Sequence, residues 1–258
     1  MPEIPDIEVF CRNLKSLLAG KQIAKVKVIN GKKLKDTSKE LVQALEGKKI
    51  LDVYRSGKEL RIQFSKQILL GIHLMLTGDL HFFGGKNERK STIVELHFKD
   101  GTGIALTDRM KNAHVKLNPV DKTGIDALDK SLNYKRLKDI LNRKAAIKNV
   151  LLDQDIIRGI GNSYSDEILW QTRISPFSKA EAIPDEKIKE LATVIKKVLK
   201  QATEKIYKNH PGKIYGEVKD YLQIHTKHKS ESPTGSPILT AERGMLKTYY
   251  TDEQIVYQ

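Results

Sequence analysis

The sequence predicts an α+β protein of two domains, in which a helix and about eight β-strands precede a helical region and a closing β-hairpin. Three observations predict this class. Apolar residues recur at helical spacing over residues 5–19, short β-rich runs fill residues 22–117, and helical periodicity returns after Pro119. With 258 residues, of which 39% are hydrophobic, the chain is long enough to bury a substantial core.

The first helix is predicted from apolar residues that share one face: Ile7, Phe10, Leu14, Leu17 and Leu18. Gly20 ends this pattern. The β-rich runs that follow cover residues 23–29, 50–54, 60–64, 68–75, 93–98 and 103–106. Asp100-Gly101 is a hairpin signal, and a sandwich or flattened barrel is the most economical arrangement of these strands.

Helices are predicted over residues 133–143, 147–156, 162–171 and 184–208. The last has one apolar stripe surrounded by lysines, and Pro184 suits its first position. Residues 238–240 and 249–257 are expected to pair as a hairpin. The predicted segments are therefore a β-sandwich domain over 1–120, a helical domain over 125–210, and a loop with the hairpin over 211–258.

The composition indicates a polyanionic partner. Forty-six Lys and Arg residues against 32 Asp and Glu give a formal charge of +14, spread along the chain. No apolar run approaches about 20 residues, and the N-terminus lacks the basic and apolar regions of an export signal. We therefore expect no membrane association and no secretion.

Cys11 is the only cysteine. A single cysteine excludes an internal disulfide and any multi-cysteine zinc site, so no metal is expected. Its position within the first helical pattern indicates a small core residue.

The N-terminus, Met-Pro-Glu-Ile-Pro-Asp-Ile-Glu, contains a candidate nucleophile. Removal of Met1 would free the secondary amine of Pro2. An α-amine has a reference pKa near about 8, against about 10.4 for lysine, so more of it is unprotonated at neutral pH. Glu3 follows as a carboxyl that can move protons. These residues alone also fit an ordinary chain start with acids in a first helical turn.

A second candidate site lies at Gly159-Ile160-Gly161-Asn162, between two predicted helices. A turn without bulky side chains, followed by backbone N–H groups at a helix N-terminus, is suited to phosphate binding. The same residues also fit a plain helix stop and N-cap.

Together these motifs resemble the formamidopyrimidine-DNA glycosylase / endonuclease VIII family of base-excision repair enzymes. The family's N-terminal motif is matched by residues 1–8, with Asp6 in place of a glutamate. Its helix-two-turn-helix segment is matched by Leu-Asp-Gln at 152–154, Gly-Ile-Gly-Asn at 159–162, Asp166-Glu167 and Ile174-Ser175-Pro176. Gly57-Lys58, His73-Leu74 and Thr77-Gly78 match further motifs in the same order.

The resemblance implies a catalytic set in the N-terminal domain. Pro2 would attack C1′ of the damaged nucleotide, displace the base and form a Schiff base. Glu3 would act as the acid that protonates the sugar or relays protons, and Asp6 falls at a second acidic position. Lys58 would lie on a hairpin near the damaged nucleotide and hold a flanking phosphate.

The resemblance also implies DNA contacts from Gly161, Asn162 and Lys148, which would position the backbone without reading sequence. The reaction would be base removal followed by β- and δ-elimination, with no cofactor. The expected partner is damaged double-stranded DNA, bound by a monomer. The expected location is the cytoplasm, with the bacterial nucleoid, or the nucleus of a eukaryote.

The chain departs from the family pattern near its C-terminus. The usual four-cysteine zinc finger cannot form, and residues 238–257 instead resemble the zincless finger of some members. The arginine at the family's finger tip is replaced. The nearest candidates are Lys247, which we favour because it precedes Thr248-Tyr249-Tyr250, and Arg243.

The residues that fill the gap left by a flipped base also differ. The matching positions are Leu76, Met110 and Asn112, where the family has methionine, arginine and phenylalanine. Leu76 and Met110 are suitable apolar wedges, whereas Asn112 is a poor substitute for an aromatic ring.

Residues 209–221 form a short segment where family members acting on 8-oxoguanine have a long glycine-rich loop. We therefore expect oxidised pyrimidines and ring-opened or further-oxidised purines as substrates. Two other functions also fit the sequence: a non-catalytic nucleic-acid-binding protein, and an abasic-site lyase without glycosylase activity.

Overall fold

The computed structural model describes residues 1–243 and 246–258, except for the side chain of Arg243. The chain folds into two compact units. The first comprises Met1–Asp121 and Ile206–Glu217, and the second comprises Lys122–Lys205 and Val218–Gln258. The α+β class with two domains is confirmed.

The first unit contains two helices and eight strands. In chain order they are α1 (Ile4–Leu18), β1 (Ile23–Val28), α2 (Ser38–Leu45), β2 (Ile50–Ser56), β3 (Glu59–Phe64), β4 (Leu69–His73), β5 (Gly78–Gly84), β6 (Thr92–Phe98), β7 (Thr102–Asp108) and β8 (His114–Leu117). The strands form two antiparallel four-stranded sheets, with orders β1-β6-β7-β5 and β2-β3-β4-β8. This confirms the predicted β-sandwich.

Helix α1 is amphipathic because its apolar residues return every three or four positions. Its buried face, with Phe10, Leu14 and Leu18 fully inaccessible, joins apolar residues of both sheets in one core. The helix packs mainly against β2. Burial of this face therefore fixes the position of the N-terminus on the sandwich.

Helix α2 was not predicted, because residues 22–117 were interpreted as β-rich throughout. Its N-terminus has a capping box, in which the Thr37 hydroxyl accepts from the backbone of Glu40 and the Glu40 carboxylate accepts from that of Thr37. Only Leu41 and Leu45 of the helix are buried. The helix is short and has one narrow apolar stripe. Its capping box is therefore the main indication in the sequence that a helix begins here.

The second unit contains four short strands and four helices among its described residues. They are β9 (Ile125–Asp126), α3 (Tyr134–Leu141), α4 (Ile147–Leu152), β10 (Ile157–Arg158), α5 (Asn162–Gln171), α6 (Asp185–Asn209), β11 (Leu239–Arg243) and β12 (Leu246–Tyr250). The last turn of α6 belongs to the first unit.

The four helices predicted after Pro119 are present, but α4 ends four residues early. Residue 156 was expected inside the helix, whereas α4 stops at Leu152. The next residues turn back because Ile156 and Ile157 both donate backbone hydrogen bonds to the carbonyl of Asp153. Ile157 then pairs with Ile125 in a parallel bridge of β9 and β10.

The closing hairpin is present, with Leu239 and Thr240 paired to Tyr250 and Tyr249, but its strands have different bounds from those expected. Strand β12 begins at Leu246 and ends at Tyr250, and its partner β11 continues to Arg243. Residues 251–257 do not extend the hairpin, because the Thr251 backbone N–H donates to the Gln254 side chain in a turn. Ile255 instead bridges to Ile174.

None of the helices in ranges 1–243 and 246–258 combines the length and apolar character needed to cross a membrane.

Candidate functional site

The start of α1 is fixed by its own side chains. Glu3 is the N-cap residue in an extended conformation, and Asp6 occupies the third helical position. The two carboxylates accept hydrogen bonds from each other's backbone N–H groups, as in a capping box, and Asp6 Oδ2 lies 3.3 Å from the Glu3 nitrogen. Pro2, Glu3 and Asp6 are all buried. The predicted nucleophile and acids therefore occupy a rigid helix start.

Lys58 lies in the two-residue turn that joins β2 to β3. Ser56 pairs with Glu59 across this turn, and Gly57 has φ +59°. Positive φ at the first turn position is strained for other residues, which explains the glycine. The turn is short and therefore holds the lysine in a defined place.

Arg55 connects this hairpin to α1. Its Nη1 donates to the Gly57 carbonyl at 2.9 Å, and its Nε lies 3.2 Å from Glu8 Oε2. The guanidinium is largely buried. One side chain therefore fixes the lysine-bearing turn relative to the helix that carries Pro2.

Lys58 and Glu3 interact electrostatically. Burial lowers the pKa of Lys58 below its usual value, and the negative charge of Glu3 opposes that shift. Glu3 itself is 4% exposed. The charge of the Glu3 carboxylate therefore acts on a desolvated Lys58 ammonium near the start of α1.

Two exposed loops of the first unit, residues 74–77 and 109–113, carry the predicted void-filling residues. Leu76 is 61% exposed and Met110 is 53% exposed, which is unusual for large apolar side chains. Both side chains are presented to solvent, as wedges for an unstacked base step need to be.

Asp108 cross-links these void-filling loops. Its buried carboxylate accepts from the Thr77 hydroxyl of one loop, and from the backbone N–H groups of Met110, Asn112 and Ala113 of the other at 2.8–2.9 Å. Burial opposes ionisation, but these hydrogen bonds outweigh it and lower the pKa of Asp108. Asp108 therefore fixes the loop that carries Leu76 relative to the loop that carries Met110.

Asn112, the third predicted void-filling residue, has a different environment. Its side-chain oxygen accepts a hydrogen bond from Lys33. It is only partly exposed, unlike Leu76 and Met110. This contact gives Asn112 a role in fixing the loop, whereas Leu76 and Met110 are the exposed apolar residues.

In the second unit, Gln154 organises the turn between α4 and α5. Its side-chain nitrogen donates to the carbonyls of Leu152 and Ile160, and its oxygen accepts from the Gly159 N–H at 2.9 Å. Gly159 has φ +100°, a conformation that glycine adopts without strain. The Leu-Asp-Gln and Gly-Ile-Gly motifs are therefore parts of one hydrogen-bonded turn.

Gly161 is the N-cap of α5, and Asn162 is its first residue. Asn162 Nδ2 donates to the carbonyl of Lys247 at 2.9 Å, which links this turn to the hairpin. The Lys247 ammonium is exposed and lies over the Tyr249 ring, 5.5 Å from its centroid. The structure therefore brings three of the predicted DNA-binding residues together. Arg243, the alternative to Lys247, has its side chain outside the described part.

Lys148, predicted as a DNA contact, is buried beneath the hairpin. Its Nζ lies 2.6 Å from Asp166 Oδ1 and donates to the Thr248 hydroxyl at 2.8 Å. Only 7% of its side chain is exposed. These contacts give it a structural role, and a direct phosphate contact stays a prediction.

Asp166 is the centre of this buried network. Its Oδ2 accepts from the Tyr249 backbone N–H at 2.9 Å and lies 2.7 Å from His225 Nδ1. The neighbouring Glu167 accepts backbone N–H bonds from Gln223, Ile224 and His225. Burial raises the pKa of Glu167, although those hydrogen bonds favour its charged form.

Within the ranges that the structure describes, no three His, Cys, Asp or Glu side chains gather in a group that could hold a metal ion. Cys11 is buried in the sandwich core, and burial raises its pKa far above that of an ordinary thiol.

Sequence reasoning assigned no role to several residues that shape these sites. Arg55 directly precedes Ser56 and the Gly57-Lys58 turn, and Asp108 opens the motif that contains Met110 and Asn112. Asp166 and Glu167 were recognised only as a motif. The sequence contains Asp108 beside the loop residues, but only the fold shows that its carboxylate is buried and that it holds those loops.

Comparison with protein families gives two adjacent matches. Residues 1–115 match the formamidopyrimidine-DNA glycosylase N-terminal domain, and residues 123–210 match the H2TH domain of the same enzyme. Formamidopyrimidine-DNA glycosylase of Lactobacillus gasseri is 35% identical over 219 residues, which cover 79% of this chain and 78% of that protein.

Solved structures show the same fold. A complex of Lactococcus lactis Fpg with DNA containing an abasic site has a TM-score of 0.86 and 20% identity, covering 97% of this chain and 98% of that one. A complex of the Lactococcus lactis enzyme with DNA containing an oxidised pyrimidine also has a TM-score of 0.86, with 22% identity and the same coverage.

Proposed function

The chain belongs to the formamidopyrimidine-DNA glycosylase family, and we propose that it is a base-excision repair DNA glycosylase with abasic-site lyase activity whose nucleophile is the amine of Pro2. The observation that carries this proposal is the convergence of Glu3 and Lys58 at the buried N-terminus. The amine needs Met1 to be removed, because a peptide nitrogen has no lone pair available for attack.

Pro2, Glu3 and Lys58 each have a separate role in the proposed reaction. The Pro2 amine attacks C1′ and becomes an iminium after the base leaves and the sugar ring opens. Glu3 supplies the proton for the ring oxygen, and the Lys58 ammonium binds the phosphate next to the damaged nucleotide. Asp6 fixes the helix start that carries them. These groups need no cofactor for β- and δ-elimination.

Duplex DNA is bound by groups in each unit. Lys247 and the Gly161-Asn162 helix start provide backbone contacts, and the buried network around Lys148 holds the hairpin that carries Lys247. Leu76 and Met110 fill the gap left by the flipped nucleotide. One chain contains both sets, so we propose that it acts as a monomer, in the cytoplasm where bacterial DNA lies.

Borohydride reduction in the presence of abasic duplex tests the nucleophile. Protein shown by mass spectrometry to begin at Pro2 should form a covalent adduct that maps to residue 2. The matched control is the same chain with a short extension before Met1, which should bind the duplex yet form no adduct. An adduct at Lys58, or equal trapping by the extended chain, would contradict the assignment.

The proposed substrates are oxidised pyrimidines and ring-opened purines. The segment of residues 209–221 supports this choice, because Gly212 and Gly216 are its only glycines, whereas a glycine-rich loop is expected of members that act on 8-oxoguanine. Rates on single-lesion duplexes test it. Faster excision of 8-oxoguanine than of oxidised pyrimidines would contradict it.

A second candidate is a lyase restricted to abasic sites. It is favoured by the environment of Asn112, whose contact with Lys33 leaves two wedges instead of three. An oxidised-base duplex and an abasic duplex, compared at equal protein concentration, separate the two functions. Cleavage of the abasic duplex alone would support the restricted lyase.

A further inference from the structure

Several contacts attach the segment that follows α6 to the rest of the first unit. Ile214 is buried in the sandwich core. Asn13 of α1 donates to the Lys213 carbonyl at 2.8 Å, and the Gly216 backbone N–H donates to Asp79 Oδ1 at 3.0 Å. Backbone contacts on both sides of Ile214 therefore fix the residue that comes next.

That residue is Glu217, and its carboxylate forms an ion pair with the amino group of Met1. Three covalent bonds separate this nitrogen from that of Pro2, so the two nitrogens are roughly 3 Å apart. Removal of Met1 turns the Pro2 nitrogen into the terminal amine beside the same carboxylate. The Glu217 side chain is 21% exposed, which allows proton exchange with water.

The other two acids of the site have different tasks. Glu3 and Asp6 accept hydrogen bonds at the start of α1, and the charge of Glu3 acts on Lys58. Glu217 differs because it comes from a segment more than 200 residues away and contacts the terminal amine itself.

We propose that Glu217 is a further catalytic residue of this enzyme, the base that takes protons from the Pro2 amine. This inference rests on the proposed function, because it requires Pro2 to be the nucleophile. A terminal amine is mostly protonated near neutral pH, and its lone pair becomes available only after a proton leaves. A carboxylate paired with the amine is placed to accept that proton.

The Pro2 ammonium carries two protons, and Glu217 takes the first and passes it to water. The amine nitrogen then bonds to C1′, while the bond from C1′ to the base breaks and the base leaves with the electron pair and is protonated by solvent. Glu217 takes the second proton from the alkylated nitrogen. The nitrogen lone pair forms the C=N bond as the C1′–O4′ bond breaks, and O4′ takes a proton that Glu3 first accepts from solvent and then passes on.

The test measures the rate of borohydride trapping with preformed abasic duplex, at saturating protein, from pH 6 to 9. The variants are Glu217→Gln, Glu217→Asp and Glu88→Gln. Glu88 is exposed on the same unit, so its variant makes the same charge change away from the site. All proteins are first shown to begin at Pro2 and to have wild-type melting temperatures.

Glu217→Gln should trap about 100-fold more slowly at pH 6.5. The deficit should shrink about tenfold for each pH unit, because solvent then removes the proton that Glu217 no longer takes. Glu217→Asp should lie between Gln and wild type, and Glu88→Gln should match wild type.

Equal rates for Glu217→Gln and wild type would overturn the inference and leave the proposed function intact. A loss that is the same at every pH would also overturn it, because it would indicate positioning without proton transfer. No adduct with the wild-type protein would overturn the proposed function and this inference together.

Discussion

The helix start at Pro2 and the hairpin β11-β12 are held in position by different kinds of contact. The helix start uses neighbours in sequence, since Glu3 and Asp6 cap the helix that carries them. The hairpin is held from outside, by Asp166 of α5, which accepts from the Tyr249 backbone N–H, and by Lys148, which donates to Thr248. The first arrangement is therefore visible as a short motif, whereas the second depends on buried ionic contacts between distant segments.

The two regions should also contribute to different properties, the helix start to reaction rate and the hairpin contacts to stability. In the proposed reaction, Pro2 and Glu3 act on the nucleotide. Their substitution should therefore reduce reaction rates with little effect on the stability of the fold. The side chains around Asp166 hold the hairpin β11-β12. Their substitution should therefore reduce stability and DNA affinity, with little effect on the reaction rate of the Pro2 amine. Four predictions test this division, beginning with the largest effect.

Glu3→Gln should slow Schiff base formation by about 10²- to 10⁴-fold, because the ring oxygen loses its proton donor. Affinity for abasic duplex should stay within about twofold of wild type, since phosphate contacts dominate binding. Single-turnover trapping and equilibrium binding measure the two quantities. A large loss of affinity, with the rate preserved, would break the proposed division.

Asp166→Asn should lower the free energy of unfolding by about 3–5 kcal/mol, because the buried Lys148 ammonium loses its counter-charge. Urea unfolding of the full chain measures this cost. Asp185→Asn is the matched control, since Asp185 pairs with Lys138 at the surface at the same distance of 2.6 Å. It should show no measurable change. Equal effects of both variants would contradict the role given to the buried network.

Asp108→Asn should cost about 1–3 kcal/mol, because Asn cannot accept all the hydrogen bonds that Asp108 accepts. The pKa of Asp108 is lowered in the fold, so its contribution is present above the pKa of an ordinary carboxyl and is lost as pH falls through the lowered value. The stability difference between wild type and variant should therefore shrink on acidification. Urea unfolding between pH 6 and pH 3 measures it.

The same variant should affect excision of a paired lesion more than cleavage of a preformed abasic site, because void filling matters most when a stacked base must be extruded. Equal losses on the two substrates would show that Asp108 serves the fold alone.

Lys247→Ala should have the smallest effect. It should reduce the slope of log affinity against log salt by about 1, without changing the trapping rate at saturating protein. Lys99→Ala, an exposed lysine in the β6-β7 turn, is the control and should leave the slope unchanged. An unchanged slope for Lys247→Ala would leave Arg243 as the residue to test at the hairpin.

Much of the fold and part of the site could be predicted from sequence. Periodicity predicted α1, the β-sandwich and the four later helices, because each depends on burial of a regular apolar face. The helix α2 was missed although Thr37-Ser-Lys-Glu40 is a capping-box pattern, since its apolar stripe is too narrow to dominate a β-rich region.

The long-range contacts could not be predicted in the same way. The pairing of Glu217 with the N-terminus joins residues 216 positions apart, and nothing periodic in the sequence reports it. The predicted extent of the second hairpin strand, to residue 257, was wrong for a related reason. The turn at Thr251 and the bridge from Ile255 to Ile174 compete with strand extension, and both depend on neighbours from elsewhere in the chain.

The cysteine-free hairpin has a consequence for the conditions in which the protein works. Thiolates that bind zinc are oxidised by the same reactive oxygen species that damage bases. Here Asp166 and Lys148 hold the hairpin, and carboxylates and ammonium groups resist such oxidants. The single thiol, Cys11, is buried and protonated, so it reacts slowly. The hairpin proposed to contact DNA should therefore keep its shape during the oxidative stress that damages bases.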